Sequence, residues 1–252
     1  MKLFDVSGKK AIVTGGSRGL GKAMAAGLME NGCEVVIIAS NPETKNIVQK
    51  WADPQWKYHC VTGDIGDNQQ RKRMFEEALS CLGGELDILI NSAGIQRRNK
   101  CVDFTQEDWD AVVNINMTSV FFMSQMAARV MAKQGHGKII NIASMGSYVG
   151  SLCVPAYVST KGAIVQMTKA LSNELAPQGI CVNAIAPGYM LTDIAKAIQE
   201  DPVRNKEIVD RIPIGRWGNP EELVGAMLFL SSDASNYVSG TTIAVDGGFL
   251  GR

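Results

Sequence analysis

Short apolar runs alternate with longer amphipathic stretches along almost the whole chain, with no low-complexity linker and no internal repeat between them. The runs predict strands at 11–14, 34–39, 57–62, 87–91, 138–143, 180–186 and 241–245, and helices in most of the intervals. Several runs are unbroken, such as Ile139-Ile140 with Ile142-Ala143. A strand covered on one face alternates apolar with polar residues, whereas a parallel strand covered on both faces reads as continuous hydrophobe. So regular a βαβ alternation implies a doubly wound, seven-stranded parallel sheet with helices on both faces, and a ligand at the carboxyl ends of the strands.

The first of these units carries the most specific local signal. Ala11-Ile12-Val13-Thr14 runs directly into Gly15-Gly16-Ser17-Arg18-Gly19-Leu20-Gly21, and a helix-like stretch follows from Lys22 to Met29. Glycine accepts positive φ and has no Cβ, so backbone amides can approach a diphosphate, and the positive end of the next helix favours the anion. Asn31-Gly32 stops the helix and Glu34 to Ala39 supplies the second strand, which completes a Rossmann-type βαβ unit. The glycines stand at G-x-x-x-G-x-G, not the usual G-x-G-x-x-G, so the motif alone also fits a tight connection. Where an NAD-binding unit usually places an acid for the ribose hydroxyl, this chain has Ala39, Ser40 and Asn41. With no carboxylate there to repel a 2′-phosphate and Arg18 in the loop to attract one, both NAD and NADP are allowed.

Polar groups recur at the other predicted strand ends. Asp64-Ile65 follows the third, Asn91-Ser92-Ala93-Gly94 ends the fourth, Ser144 ends the fifth and Pro187-Gly188 follows the sixth. Each alone is an ordinary turn or cap; their joint placement suits one ligand site. Tyr157 and Lys161 lie four apart in a helix-like segment, 156–175, and share a face. A nearby ammonium favours a phenolate, which gives a usable acid or base. The same spacing occurs on helices that merely pack, so the pair alone does not fix the chemistry.

Together these residues resemble the classical short-chain dehydrogenase/reductase family along the whole chain. Thr14 to Gly21 is similar to its cofactor loop, and Tyr157-Val158-Ser159-Thr160-Lys161 to its Y-x-x-x-K signature. Ser144 lies at the family spacing before Tyr157, and Pro187-Gly188-Tyr189-Met190-Leu191-Thr192 resembles the P-G-x-x-x-T segment beside the nicotinamide. Ser92 departs from the more frequent N-N-A-G. The resemblance implies a hydride-transferring oxidoreductase with catalytic Asn116, Ser144, Tyr157 and Lys161; Asn114 is the competitor rejected on alignment. It implies cofactor contacts from Gly15, Ser17, Arg18, Gly19, Leu20, Gly21, Ser40, Asp64, Ile65, Asn91, Ala93, Gly94, Tyr157, Lys161, Pro187, Gly188, Met190 and Thr192. The segments around Arg97-Arg98, Phe121-Phe122 and Arg211 to Gly218 are similar to the sugar-acid branch, whose members oxidise gluconate and deoxygluconates. Substrate contacts are then expected from Arg97, Arg98, Ser144, Tyr157 and Tyr189, because a guanidinium fork takes a carboxylate bidentately. An exposed basic pair facing a neighbouring subunit is the alternative for the two arginines. Residues 189–212 resemble a substrate lid, and the family implies a homotetramer. A noncatalytic dinucleotide-binding sensor on the same fold is the reading of another class.

Composition narrows the picture further. The 252 residues suit one domain, 1–252, and 46% hydrophobic residues supply its core. Lys plus Arg and Asp plus Glu are equal at 25 each, so no basic field calls for nucleic acid or an acidic membrane. No apolar run approaches a membrane span and the N-terminus does not resemble a signal peptide, so a cytoplasmic protein is expected. The six cysteines fall singly, which argues against disulfides and a zinc site and predicts buried free thiols. With only His59 and His136, a metal site or a Ser-His-Asp triad has little material. Arg216 is expected to pair with Glu221 or Glu222.

Overall fold

The computed structural model describes residues 2–252. Its strands are β1 (Lys10–Thr14), β2 (Glu34–Ala39), β3 (Tyr58–Thr62), β4 (Ile88–Asn91), β5 (Gly137–Ile142), β6 (Ile180–Pro187) and β7 (Thr242–Val245). They form one seven-stranded sheet in the order β3-β2-β1-β4-β5-β6-β7, every pair parallel. All seven predicted strands are present. The order reverses direction beside β1 and β4, and at such a switch point the loops leaving the two strands part to open a crevice.

The sheet divides its side chains between two layers. From β1, Ala11 and Val13 pack with Met24 and Leu28 of α1 (Gly19–Glu30), and with Met227 and Leu230 of a late helix, Val224–Ser231. Ile12 points the other way, to Met74 and Phe75 of Asn68–Cys81 and to Met123 and Ala127 of Ser119–Gln134. Each fully buried Ile or Leu contributes about 1.5–3 kcal/mol, so sequence alternation within an apolar run still assigns a side to every residue. Between β4 and β5, helix α2 (Gln106–Val113) runs into α3 (Ser119–Gln134) through a π-helical turn, Asn114–Thr118. The long helix α4 (Pro155–Leu175) starts with proline in its first turn, where no amide hydrogen is missed.

After β6 the lid-like segment carries two short helices, α5 (Lys196–Gln199) and α6 (Pro202–Val209). Asp201 breaks them, its carboxylate accepting from the amides of Val203 at 3.0 Å and Arg204 at 3.1 Å. Ile208 and Ile212 anchor the segment on Met145, Trp217 and Phe249 in a small core of its own.

The thiol expectation needs correction. Only Cys33 is buried, its thiol pushed up to about 12 by burial, while Cys101, at the start of a short 3-10 turn, and Cys153, in a loop, are exposed. Apolar neighbours in sequence do not bury a residue on an irregular connection. His59 meets Glu34 at 3.0 Å and His136 meets Asp87 at 2.9 Å. Arg216 forks onto Glu222 at 2.8 and 2.7 Å, as the sequence suggested.

Candidate active site

β1 ends at Thr14, and the chain turns at once through Gly15 with φ +69°. A Cβ on Gly15 would stand 2.9 Å from the Ala93 Cα, and one on Gly21 would overlap the Gly15 carbonyl oxygen. The first turn of α1 therefore folds back onto the loop with only hydrogens between, and Arg18 at its N-cap lends no side-chain cap. Uncapped amides at a helix start, held in a cradle with no side chains in the way, fit a dinucleotide diphosphate. Gly21→Ala is expected to lower stability by about 1–3 kcal/mol through overpacking and to weaken dinucleotide binding. Thermal denaturation with and without NADP measures both; an unchanged protein would mean that the loop has slack.

The bracing role of Thr14, the first residue of the loop, was not foreseen. Its hydroxyl oxygen accepts from the amides of Ser92 and Ala93, both at 3.1 Å, and so ties the loop after β4 to the end of β1 across the switch point. A hydroxyl residue closing a strand is the only sequence signal for this.

At the end of β5, Ser144 is 9% exposed and accepts from the Gly146 amide at 3.0 Å. Ser147 donates to the Lys161 carbonyl at 2.6 Å, which fastens this loop to α4. One turn earlier on α4 is half-buried Tyr157, and the Lys161 ammonium lies 5.7 Å from its ring centre. Lys161 donates to the Ile142 carbonyl at 2.6 Å, and burial lowers its pKa to about 8. Burial also holds the Tyr157 phenol above its ordinary value, with a hydrogen bond from Ser144 pulling the other way.

Ser144, Tyr157 and Lys161 share one cavity of about 1290 Å³ with the glycine loop. Gly15, Ser17, Arg18, Gly19, Leu20, Gly21, Ser40, Asp64, Ile65, Ala93 and Gly94 line it, as do Pro187, Gly188, Tyr189, Met190, Thr192 and Arg98. Three expected residues do not. Asn91 lies in the sheet, where its amide donates to Ser124 at 3.0 Å and to Asn141 at 2.9 Å, tying β4 to β5 and α3. The Asn116 side chain clamps the Ile95 backbone, accepting from its amide at 2.8 Å and donating to its carbonyl at 2.9 Å. Arg97 turns outward to an ion pair with Asp108 at 3.2 Å. Asn91 and Asn116 thus brace the cavity wall, and of the paired arginines only Arg98 reaches the cavity.

Arg204, Glu207, Arg211, Trp217 and Phe249 also line the cavity; the sequence placed the first four in segments of interest, 189–212 and Arg211 to Gly218, but named none of the five as a site residue. Tyr189 packs edge-on against Trp217 at 5.1 Å and Phe249 at 5.7 Å, so one end is aromatic and the other is polar backbone. A cavity with both characters has the room and the groups to take a dinucleotide along its polar backbone and a small polar molecule beside it.

Residues 15–250 match the family described as Enoyl-(Acyl carrier protein) reductase. The chain is 47% identical to 2-dehydro-3-deoxy-D-gluconate 5-dehydrogenase of Dickeya dadantii over 100% of its own length and 99% of that protein. It is 45% identical to the Escherichia coli enzyme of the same name, with the same coverage. A gluconate 5-dehydrogenase from Burkholderia cenocepacia, solved in complex with NADP and tartrate, superposes with a TM-score of 0.94 at 37% identity, covering 100% of this chain and 98% of that one.

Proposed function

The chain belongs to the short-chain dehydrogenase/reductase family and is an NAD(P)-dependent oxidoreductase acting on CH–OH groups, and on that premise we propose that its substrate is a sugar acid. The proposed reaction is oxidation of 2-dehydro-3-deoxy-D-gluconate at C5, or the reverse reduction, with 2-deoxy-D-gluconate and D-gluconate as the near variants. The observation that carries this is the meeting of Ser144, Tyr157, Lys161 and an unpaired Arg98 in one cavity beside the glycine cradle. Identity to the two named relatives over the full length supports the substrate class. The Burkholderia relative's tartrate is a dicarboxylate, which suits a site edged with arginine.

Held by the glycine cradle and by Pro187 and Gly188, a nicotinamide cofactor would supply or take the hydride. Tyr157 removes the alcohol proton as phenolate and returns it as phenol. Ser144, fixed by its bond from Gly146, offers its hydroxyl to the substrate oxygen, where charge develops. Lys161, protonated at neutral pH, lends positive charge beside Tyr157 and would hold the nicotinamide ribose. Asn116 acts by holding Ile95, which lines the cavity. The segment 189–212 serves as the lid that excludes water.

The test is nicotinamide absorbance with purified protein, NAD⁺ and NADP⁺ separately, against the three acids. Selective turnover of 2-dehydro-3-deoxy-D-gluconate is expected. Silence with all three in both directions, despite dinucleotide binding, would favour a sensor.

Preference for NADP belongs to the same reading. Arg18 and Ser40 line the cavity where β2 ends without a carboxylate. Arg18→Ala is expected to raise the KM for NADP by about tenfold and leave that for NAD nearly unchanged, since a charged hydrogen bond is worth roughly 1.5–3 kcal/mol before solvent screening. Equal effects on both would place Arg18 on the diphosphate instead. A homotetramer is proposed as well, supported by Trp109, Phe121 and Phe122, which stand more than a third exposed on α2 and α3.

A further inference from the structure

Three arginines reach the cavity beyond the glycine loop: Arg98 from the loop after β4, and Arg204 and Arg211 from the lid segment. Among the described residues none of the three has a carboxylate within ion-pair distance, whereas Arg73, Arg97 and Arg216 each do. An arginine left unpaired at a cavity wall retains all its donors for a ligand.

Arg211 differs from the other two in being held. Its guanidinium lies over the Phe249 ring at 4.6 Å, and that ring is 6% exposed and braced edge-on by Tyr189. Stacking fixes the plane of the fork and leaves its N–H edge free. The backbone is pinned on both sides as well. The Asp210 carbonyl accepts from Arg252 at 2.6 Å, and Ile212 is buried at 4% exposure. Arg98 and Arg204 have no aromatic beneath them among the described residues. A donor fork that is already oriented loses little freedom when it binds.

We infer that Arg211 is the residue that takes the substrate carboxylate, bidentately, so that the sugar acid's charge ties the lid segment to the C-terminal turn carrying Phe249. The inference rests on the sugar-acid reading and names the residue that reads the acid. Its test compares kcat/KM for the best-turned-over sugar acid with that for its primary amide, which keeps the shape and lacks the charge. The native protein is expected to prefer the acid, and Arg211→Gln to cut the acid-to-amide ratio by about 100-fold, with Arg211→Lys restoring part of it. The thermal midpoint and NADP affinity of each variant check that the fold and cofactor site persist. If Arg211→Gln keeps the native ratio, or if Arg98→Gln erases it instead, the assignment to Arg211 is overturned while the sugar-acid reading stands. If the native protein turns over acid and amide equally, the carboxylate is not read at all and both fall.

Discussion

Tyr157→Phe is expected to lower turnover by about 10³-fold in both directions while leaving NADP affinity intact, because it removes the one proton-carrying hydroxyl that α4 presents to the cavity beside Ser144. The ring keeps its volume, so the wall that a dinucleotide meets is unchanged. Burial sets the pH behaviour. With the phenol held above its ordinary value, Tyr157 is protonated at neutrality, the form that donates to a developing alkoxide in reduction. Oxidation needs the phenolate, so its kcat/KM is expected to climb steadily from pH 7 upward, and reduction to hold level through the same range. In Tyr157→Phe the climb should vanish. Steady-state rates across that range, with NADP binding followed by fluorescence, separate the two effects; native-like turnover in the variant would remove Tyr157 from proton transfer.

The sheet was legible because its inner strands are covered on both faces, so that runs such as Val35 to Ile38 are apolar without a break. The glycine loop was legible for the opposite reason: Gly15 and Gly21 occupy places where no other residue fits, and that demand shows in sequence. Asparagine carries no such mark. Asn91 and Asn116 stand beside the site in sequence, and whether an amide faces the cavity or its supporting wall depends on side-chain direction at the end of a strand or within a π-helical turn. Arg97 and Arg98 are adjacent and chemically identical, yet Asp108 draws one away. The far end of the cavity was the least visible. Arg211 and Phe249 meet only because the segment after β6 and the C-terminal turn fold onto the same small core, a contact between elements with no local periodicity to announce it.

Lys161→Met is expected to abolish turnover and yet to make the ligand-free protein more stable at neutral pH. Lys161 is 7% exposed, and burial has lowered its pKa from 10.5 to about 8. In the unfolded chain the amine keeps its proton up to its ordinary value. Between about 8 and 10.5 the unfolded state therefore binds more protons than the folded one, and stability rises with pH through that window. Below about 8 the whole cost of burying the ammonium is present, on the order of 3 kcal/mol at 1.36 kcal/mol per unit. Methionine fills a similar volume with no charge to desolvate. Against this, the Ile142 carbonyl loses its donor at 2.6 Å, worth about 1–3 kcal/mol, so the net gain is a fraction of the desolvation cost. Thermal midpoints at pH 7 and pH 9.5 check the sign. The variant should lead the native protein at pH 7, and the gap should close as the native lysine sheds its proton. A variant less stable at pH 7 would mean that the bond to Ile142 outweighs desolvation, and that the lysine holds the end of β5 to α4 as well as serving the chemistry. If the variant leads, the folded protein keeps a destabilising charge at this position, which is the pattern of a group retained for what it does to a bound substrate.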